Sequence, residues 1–279
     1  MQRSQALDFV FKRAYRGPLR AVILDLAGTV VDYGSCAPAF AFVELFARHQ
    51  IKVTATQART PMGLQKKDHI RAIAGMPDVC EQMEKIKGRS WAEADIEDLY
   101  KEFIPLQLDI LPRHGKLIPG TLEAVEFFRS QGMKIGVTTG YNREMLERVL
   151  EEASKQGLRP DSAVCASDVA GGRPAPWMIF RSMEILGVFP PAAVVKIGDT
   201  IPDVEDGLNA GAWSIGVTKT GNMLGLSEEE VARMPTAELA NRLKEAEILM
   251  HQAGAHYVVG GIEGSIAVIN QINARLGLR

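Results

Sequence analysis

Residues Ala21-Val22-Ile23-Leu24-Asp25-Leu26-Ala27-Gly28-Thr29 decide the fold. Residues 21–26 are a short apolar run of branched side chains interrupted only by Asp25, and Ala27-Gly28-Thr29 is a turn signal. A run of that length, closed by a turn, predicts a buried parallel strand that opens into a loop with a carboxylate at its end. Working outward, similar runs stand at 134–139, 162–166, 194–199, 213–218 and 256–259. Helical patterns lie between them at 121–131, 143–155, 177–186 and 204–210. Alternating strand and helix predicts an α/β fold with a Rossmann-like, doubly wound parallel sheet. Such sheets bind ligands beyond the carboxyl ends of their strands, where Asp25, Thr139 and Asp199 fall.

The alternation breaks between residues 34 and 113. Helical patterns follow one another at 37–49, 55–59, 64–74 and 92–108, with no convincing strand among them. This predicts an all-helical cap domain, 34–113, inserted into a core built from 1–33 and 114–279. Residues 226–253 read as one long, solvated helix, and residues 1–19 as a short helix or extension with no assigned function.

A chain of 279 residues, 46% hydrophobic and 24% charged, suits a globular enzyme with a core and an inserted domain. A net charge of −2 points to neither a nucleic-acid partner nor an anionic membrane surface. The apolar runs are far too short to cross a bilayer. Arg3, Lys12, Arg13, Arg16 and Arg20 are not followed by the apolar stretch of a signal peptide. Cys36, Cys80 and Cys165 lack metal spacing and cannot all pair, which suits a reducing cytoplasm.

Four signals at strand ends carry the chemistry. Asp25 is the first. Asp199 and Asp203, in Gly198-Asp199-Thr200-Ile201-Pro202-Asp203, are two acids that suit a hard cation with oxygen ligands. Thr138-Thr139-Gly140 offers a hydroxyl and backbone N–H groups for phosphate oxygens. Gly172-Arg173-Pro174 places a cation in a further loop. Each alone is also what an ordinary turn or loop needs; all four in this order point to phosphoryl transfer. The order resembles the haloacid dehalogenase superfamily. That resemblance implies that Asp25 attacks phosphorus to form an aspartyl-phosphate. It also implies Mg²⁺ on Asp25, Asp199 and the backbone carbonyl of Ala27. A cation there would offset the repulsion between a carboxylate nucleophile and an anionic phosphoryl group, and Arg173 and Thr139 would stabilise charge on the transferring oxygens.

One position departs from that pattern. Most phosphatases and mutases of the superfamily carry a second Asp two residues after the nucleophile, which protonates the leaving alcohol. Here a methyl group, Ala27, stands there. Either the leaving group needs no proton from this position or help comes from the cap. In the stretch 61–73, Met62, Lys66, His69, Ile70 and Ile73 share one face at helical spacing, and Lys67 and Arg71 lie on another. A lysine among apolar neighbours has a lowered pKa; at the ordinary ~10.4, only on the order of 10⁻³ of it is neutral at pH 7. The alternative is that both lysines extend to solvent. A neutral Lys66 can form an imine with a carbonyl substrate. If the scissile bond is P–C with a carbonyl one carbon away, the protonated imine is an electron sink and no acid is needed at position 27.

With the cap helix included, the resemblance narrows. Asp25 to Gly34, Pro61-Met62-Gly63-Leu64 with Lys66 and Asp68-His69, Thr138-Thr139-Gly140-Tyr141, Gly172 to Trp177 and Gly198-Asp199-Thr200 with Asp203 are similar to the phosphonoacetaldehyde hydrolase family. The resemblance implies hydrolysis of phosphonoacetaldehyde to acetaldehyde and phosphate, late in 2-aminoethylphosphonate breakdown. It implies Lys66 as the Schiff-base lysine, with His69, Met62 and Tyr141 handling protons or shaping the pocket. Thr139, Gly140, Arg173 and Gly63 become substrate-binding positions, Asp203 joins the metal set, and the chain pairs as a homodimer through its caps. Three readings compete. A capped phosphatase acting on a small phosphate ester is opposed by Ala27, a metal-free dehalogenase by Asp199 with Asp203, and a non-catalytic binding module by the intact set of Asp25, Lys66 and Asp199.

Overall fold

The computed structural model describes residues 15–277. Residues 1–14 of the extension expected over residues 1–19 lie outside them. Six parallel strands form one sheet in the order β3-β2-β1-β4-β5-β6, with β1 Ala21–Leu24, β2 Lys134–Thr139, β3 Ser162–Cys165, β4 Val194–Gly198, β5 Trp213–Val217 and β6 Tyr257–Val259. The chain builds outward from β1 to β3, returns to β4 on the other side of β1, and continues to β6. The order reverses between β1 and β4, and a crevice forms at such a switch point. Ile23 pairs with Gly136 on one side and Lys196 on the other.

Both sheet faces are covered. Ala21 and Ile23 pack with Ile179, Met183 and Leu186 of α8 (Trp177–Leu186). Val22 and Leu24 point the other way, into the main core with Phe128 of α6 (Thr121–Ser130). Alternation along a strand sends successive side chains to opposite faces, so one four-residue strand serves two cores. The other core helices are α7 Arg143–Lys155 and α9 Ile201–Asn209.

Between β1 and β2 the chain is helical, as expected: α1 Cys36–Arg48, α2 Ala55–Arg59, α3 Lys66–Ala74, α4 Pro77–Lys87 and α5 Glu93–Ile110. Phe42 of α1 stacks on Phe103 of α5, with ring centroids 4.5 Å apart. Ile70, Ile73, Val79 and Met83 complete this packing.

Four details differ from the sequence reading. Helix α4 was not expected, although Pro77 at its start and Gly88 in the left-handed region at its end are start and stop signals. The stretch 226–253 is two helices, α10 Glu228–Arg233 and α11 Thr236–Gln252. Met234 precedes Pro235 and is extended, because the proline ring disfavours helical backbone before it. A terminal helix, α12 Ser265–Gly277, packs Ile269 and Ile272 into the main core. Helix α3 begins at Lys66, so Met62 approaches from the preceding turn and not along a helical face. No helix among the described residues is long and apolar enough to cross a membrane.

Phe103 is fully buried in the helical insertion. Phe103→Ala should cost ~3–5 kcal/mol through lost transfer energy and a residual cavity, read as a lower urea midpoint.

Candidate active site

The sheet order puts the ends of β1 and β4 side by side. The backbone N–H of Asp25 donates to Ile197 O at 2.9 Å, which extends the ladder one residue past β1, alongside the last residues of β4. Strand neighbours are about 4.8 Å apart, so the carboxylates of Asp25 and Asp199 converge. With Asp203 they form a buried group whose ligand oxygens lie within 4.8 Å of one another.

Asp203 is placed by a helix cap. Thr200 caps α9; its hydroxyl donates to Asp203 Oδ2 at 2.5 Å, and the Thr200 N–H reaches the same oxygen at 3.3 Å. Thr200 and Asp203 are thus the two ends of a capping box. Asp203 Oδ1 lies 2.8 Å from Lys196 Nζ and 3.1 Å from Arg173 Nη2.

Arg173 sits among the acids. Its Nη2 donates to Asp25 Oδ1 at 2.7 Å and to Thr138 O at 3.0 Å, and its Nε donates to Asp206 Oδ2 at 3.3 Å. Burial opposes the guanidinium charge, but Asp203, Asp25 and Asp206 outweigh it and hold the pKa above the ordinary arginine range. Lys196 is wholly buried in the middle of β4 and also donates to Thr138 Oγ1 at 3.2 Å. Lys196 and Asp206 were not anticipated as site residues. The signal for Lys196 was its place inside the apolar strand Val194-Val195-Lys196-Ile197, where a cation needs a buried partner.

Asp199 is treated differently. It accepts from the Asn222 N–H at 2.7 Å and lies 3.4 Å from Thr29 Oγ1, and among the described residues no cationic side chain pairs with it. Burial, then the charges of Asp25 and Asp203, push its pKa well above the carboxylate range. Burial and Asp203 raise Asp25 as well, against the pull of Arg173 and Lys196. Buried carboxylates short of positive charge, beside the half-buried Ala27, fit a divalent cation with oxygen ligands.

Lys66 faces these acids from the cap. Asp25, Ala27, Lys66, Thr139, Tyr141 and Asp199 all line one cavity of about 20 Å³, with space for about one water. Met62, Gly63, Gly140 and Arg173 line the same cavity. Lys66 Nζ lies 5.1 Å from the Tyr141 ring centroid and 5.6 Å from that of Phe42. Burial lowers its pKa to about 8, against a smaller upward pull from Asp25. Roughly one in ten Lys66 side chains is then neutral at pH 7. Lys67 instead pairs with Glu93 at 3.1 Å and with Glu97 at the surface. Of the two lysines, the one on the apolar face is buried and the other is exposed to its acids.

His69 stands behind Lys66 and is not part of the cavity wall. It stacks on Phe42 at 3.8 Å, and its Nε2 is 2.8 Å from Ala58 O. A carbonyl can only accept, so Nε2 carries the proton, and Nδ1 is left buried without a partner. Burial, then the Lys66 charge, hold His69 neutral. Tyr141 is buried, and its phenol pKa is pushed well above the ordinary value, so it stays protonated. Gly63 and Gly140 mark the seam between cap and core. A Cβ on Gly140 would sit 2.6 Å from Leu64 O, and one on Gly63, at φ +97°, would collide with Thr200 Oγ1.

Comparison with known proteins bears on what this pairing of Asp25 with a cap lysine belongs to. A family model for haloacid dehalogenase-like hydrolases matches residues 19–211. A phosphonoacetaldehyde hydrolase from Syntrophobacter fumaroxidans is 47% identical over 265 residues, covering 95% of this chain and 96% of that protein. The chain belongs to the phosphonoacetaldehyde hydrolase family. A second family member, from Nitratidesulfovibrio vulgaris, is 44% identical over 268 residues and 96% of each chain. The crystal structure of a phosphonoacetaldehyde hydrolase-like protein from Oleispira antarctica superposes with a TM-score of 0.93 at 39% identity, covering 96% of this chain and 98% of that one. The family membership makes this chain a hydrolase of the haloacid dehalogenase-like type, with the helical cap on its parallel-sheet core.

The cation network generates a prediction. Lys196→Met removes one member of a buried ion pair and leaves Asp203 short of charge. The cost should be ~3–5 kcal/mol, measured by chemical denaturation.

Proposed function

We propose that the protein hydrolyses the carbon–phosphorus bond of phosphonoacetaldehyde to acetaldehyde and phosphate, in the breakdown of 2-aminoethylphosphonate. The observation that carries this reading is Lys66, buried with a depressed pKa, lining the same cavity as Asp25 where Ala27 replaces an acid.

The neutral amine of Lys66 attacks the aldehyde carbon, water leaves, and a protonated imine forms. Asp25 then attacks phosphorus. The C–P electron pair moves into the imine, so carbon departs as an enamine and not as an unstabilised carbanion. Protonation of the enamine carbon and hydrolysis of the imine release acetaldehyde and restore Lys66. Water hydrolyses the aspartyl-phosphate and releases phosphate, so the sum consumes one water. Arg173 opposes the burial that disfavours the ionised form of Asp25 and, with Thr139 and the backbone of Gly140, meets the phosphoryl oxygens. Gly63 and Met62 shape the cap side. Tyr141 is a protonated donor beside Lys66, and neutral His69 buttresses the lysine from behind.

Asp25, Asp199 and the Ala27 carbonyl would hold Mg²⁺, which supplies positive charge between the carboxylate nucleophile and the phosphonate. Asp203 borders that set and shares its charge with Lys196 and Arg173. We assign residues 34–113 to the cap and 1–33 with 114–279 to the core. We also propose a homodimer through the caps and a cytoplasmic location, the latter supported by three cysteines present as thiols.

Borohydride reduction in the presence of phosphonoacetaldehyde should trap an adduct on Lys66, mapped by peptide mass spectrometry. Lys66→Ala should give no adduct and lose turnover, and efficient turnover by that variant would refute the imine. Asp25→Ala should still form the adduct but release no phosphate. Rapid release of phosphate from simple esters by the unaltered protein would favour a phosphatase instead.

Because the reactive form of Lys66 is deprotonated and burial lowers its pKa to about 8, the trapping rate should rise with pH through about 8 and then level off. A rate still climbing tenfold per pH unit above pH ~10, near the ordinary lysine value, would show an unperturbed amine. Chelation with EDTA should stop phosphate release, and added Mg²⁺ should restore it.

A further inference from the structure

Arg59, at the end of α2, has no carboxylate in ion-pair range among the described residues. It is half-buried, and its donors go to the connection between core and cap. Nη1 donates to Gly34 O at 2.7 Å, to Ser35 O at 3.1 Å and to Asn222 Oδ1 at 3.1 Å, and Nη2 lies 3.6 Å from Cys36 Sγ. Asn222 returns a bond, its Nδ2 donating to Arg59 O at 3.3 Å. The backbone N–H of Asn222 donates to Asp199 Oδ2 at 2.7 Å. One residue of the core loop after β5 is therefore held by the cap through its side chain and by the active-site carboxylate through its backbone.

The surroundings leave this contact little slack. Ser35 has φ +49° and Asp32 φ +55°, left-handed conformations that non-glycine residues seldom adopt, so the connection needs external restraint. A Cβ on Gly225, at φ +66°, would lie 2.8 Å from Arg59 Nε. One on Gly221 would be 3.0 Å from Asp199 Oδ2. Gly34 N donates to Thr220 O at 2.7 Å, and Thr220 Oγ1 to Gly28 O at 2.9 Å. The loop 218–226 thus touches the connection, the turn after Asp25, Asp199 and the cap.

We propose that Arg59 and Asn222 are positioning residues that latch the closed cap and transmit closure to Asp199. With the cap seated, the guanidinium fork fixes the connection through Gly34 and Ser35 and fixes Asn222, whose N–H aims Asp199 Oδ2. With the cap raised, Arg59 leaves Asn222, and Asp199 loses that restraint. Closure then does two things at once: it delivers Lys66 to the cavity and completes the orientation of a carboxylate in the cation-binding set. The inference rests on the reading of Asp199 as a metal-binding residue, but its test does not need the phosphonate substrate.

The experiment compares the full-length protein with Arg59→Ala, Arg59→Lys, Asn222→Ala and the Arg59→Ala/Asn222→Ala pair. Two readouts are Mg²⁺ affinity by titration calorimetry and hydrogen–deuterium exchange of peptides spanning residues 31–37. Loss of charge-assisted hydrogen bonds on this scale should weaken Mg²⁺ binding on the order of 10-fold in either alanine variant and accelerate exchange of the 31–37 segment. The double variant should be no worse than the worse single one, because both act through one contact. Arg59→Lys keeps the charge but not the fork, and should recover less than half of the lost affinity on a logarithmic scale. Additive losses in the double variant would overturn the proposal. So would unchanged Mg²⁺ affinity and 31–37 exchange in the single variants, even with a lower melting temperature. If Arg59→Ala does not fold, Arg59→Lys and Asn222→Ala carry the same comparison. Turnover of phosphonoacetaldehyde by the unaltered protein is measured in parallel; its absence would refute the proposed reaction while leaving the metal and exchange readouts to decide the latch.

Discussion

The site depends on one guanidinium. Asp25, Asp203 and Asp206 are buried around Arg173, and Asp199 lies just beyond it. Removing even one carboxylate from water without a partner costs several kcal/mol. Arg173 meets three of the four acids in one planar group, and Lys196 adds a second cation from within β4. Asp25 and Lys196 sit on neighbouring strands, β1 and β4, so the network requires that adjacency and the reversal of strand order that creates it. What the protein's own cations leave unmet is Asp199, and that shortfall is the physical reason the cluster suits a bound divalent ion.

The cap poses the reverse problem. In the proposed reaction Asp25 acts charged, and the core sets Arg173 and Lys196 against the burial and the Asp203 charge that raise its pKa. In the proposed reaction Lys66 acts neutral, and Phe42 and a neutral His69 of the helical insertion surround it together with Tyr141 of the core. A positive neighbour favours both an ionised acid and a neutral amine, whereas burial favours the neutral form of each, so Asp25 needs cations where Lys66 needs only burial. Arg173 lowers the Lys66 pKa further, while Asp25 raises it. Division between two structural layers lets each group be tuned by its own neighbours, and glycine at 63 and 140 lets the layers approach closely enough for the groups to meet.

Much of this was legible in the chain. Each core strand was visible as a branched apolar run, because a parallel sheet covered on both faces demands apolar residues at nearly every strand position. Asp25, Thr139 and Asp199 could be placed at strand ends for the same reason. Lys66 could be separated from Lys67 because helical spacing sets them on different faces, and burial followed that division. The weaker signals were lost. Helix α4 buries only a narrow stripe, Val79 and Met83, so its periodicity is faint. The break at Pro235 was masked by helix-favouring residues on both sides. Asp203 read simply as an acid four residues from Asp199, whereas its carboxylate is also one half of a capping box.

By itself the sequence determined the fold class, the strand-end acids, the missing acid at position 27 and the lysine on the apolar face of a helix. All of these follow from local periodicity and residue type, which act over a few neighbours in the chain. Only the tertiary structure decided which charges meet. Arg173 and Asp25 are 148 residues apart in sequence and 2.7 Å apart in space, and Arg59 and Asn222 are separated by 163 residues. Hydrogen bonds and charge pairing depend on distance in three dimensions, and that distance is set by strand order and by the packing of the helical insertion against the sheet. The proton affinities of Asp25, Lys66 and Asp199 depend on both, so no stretch of sequence contains them.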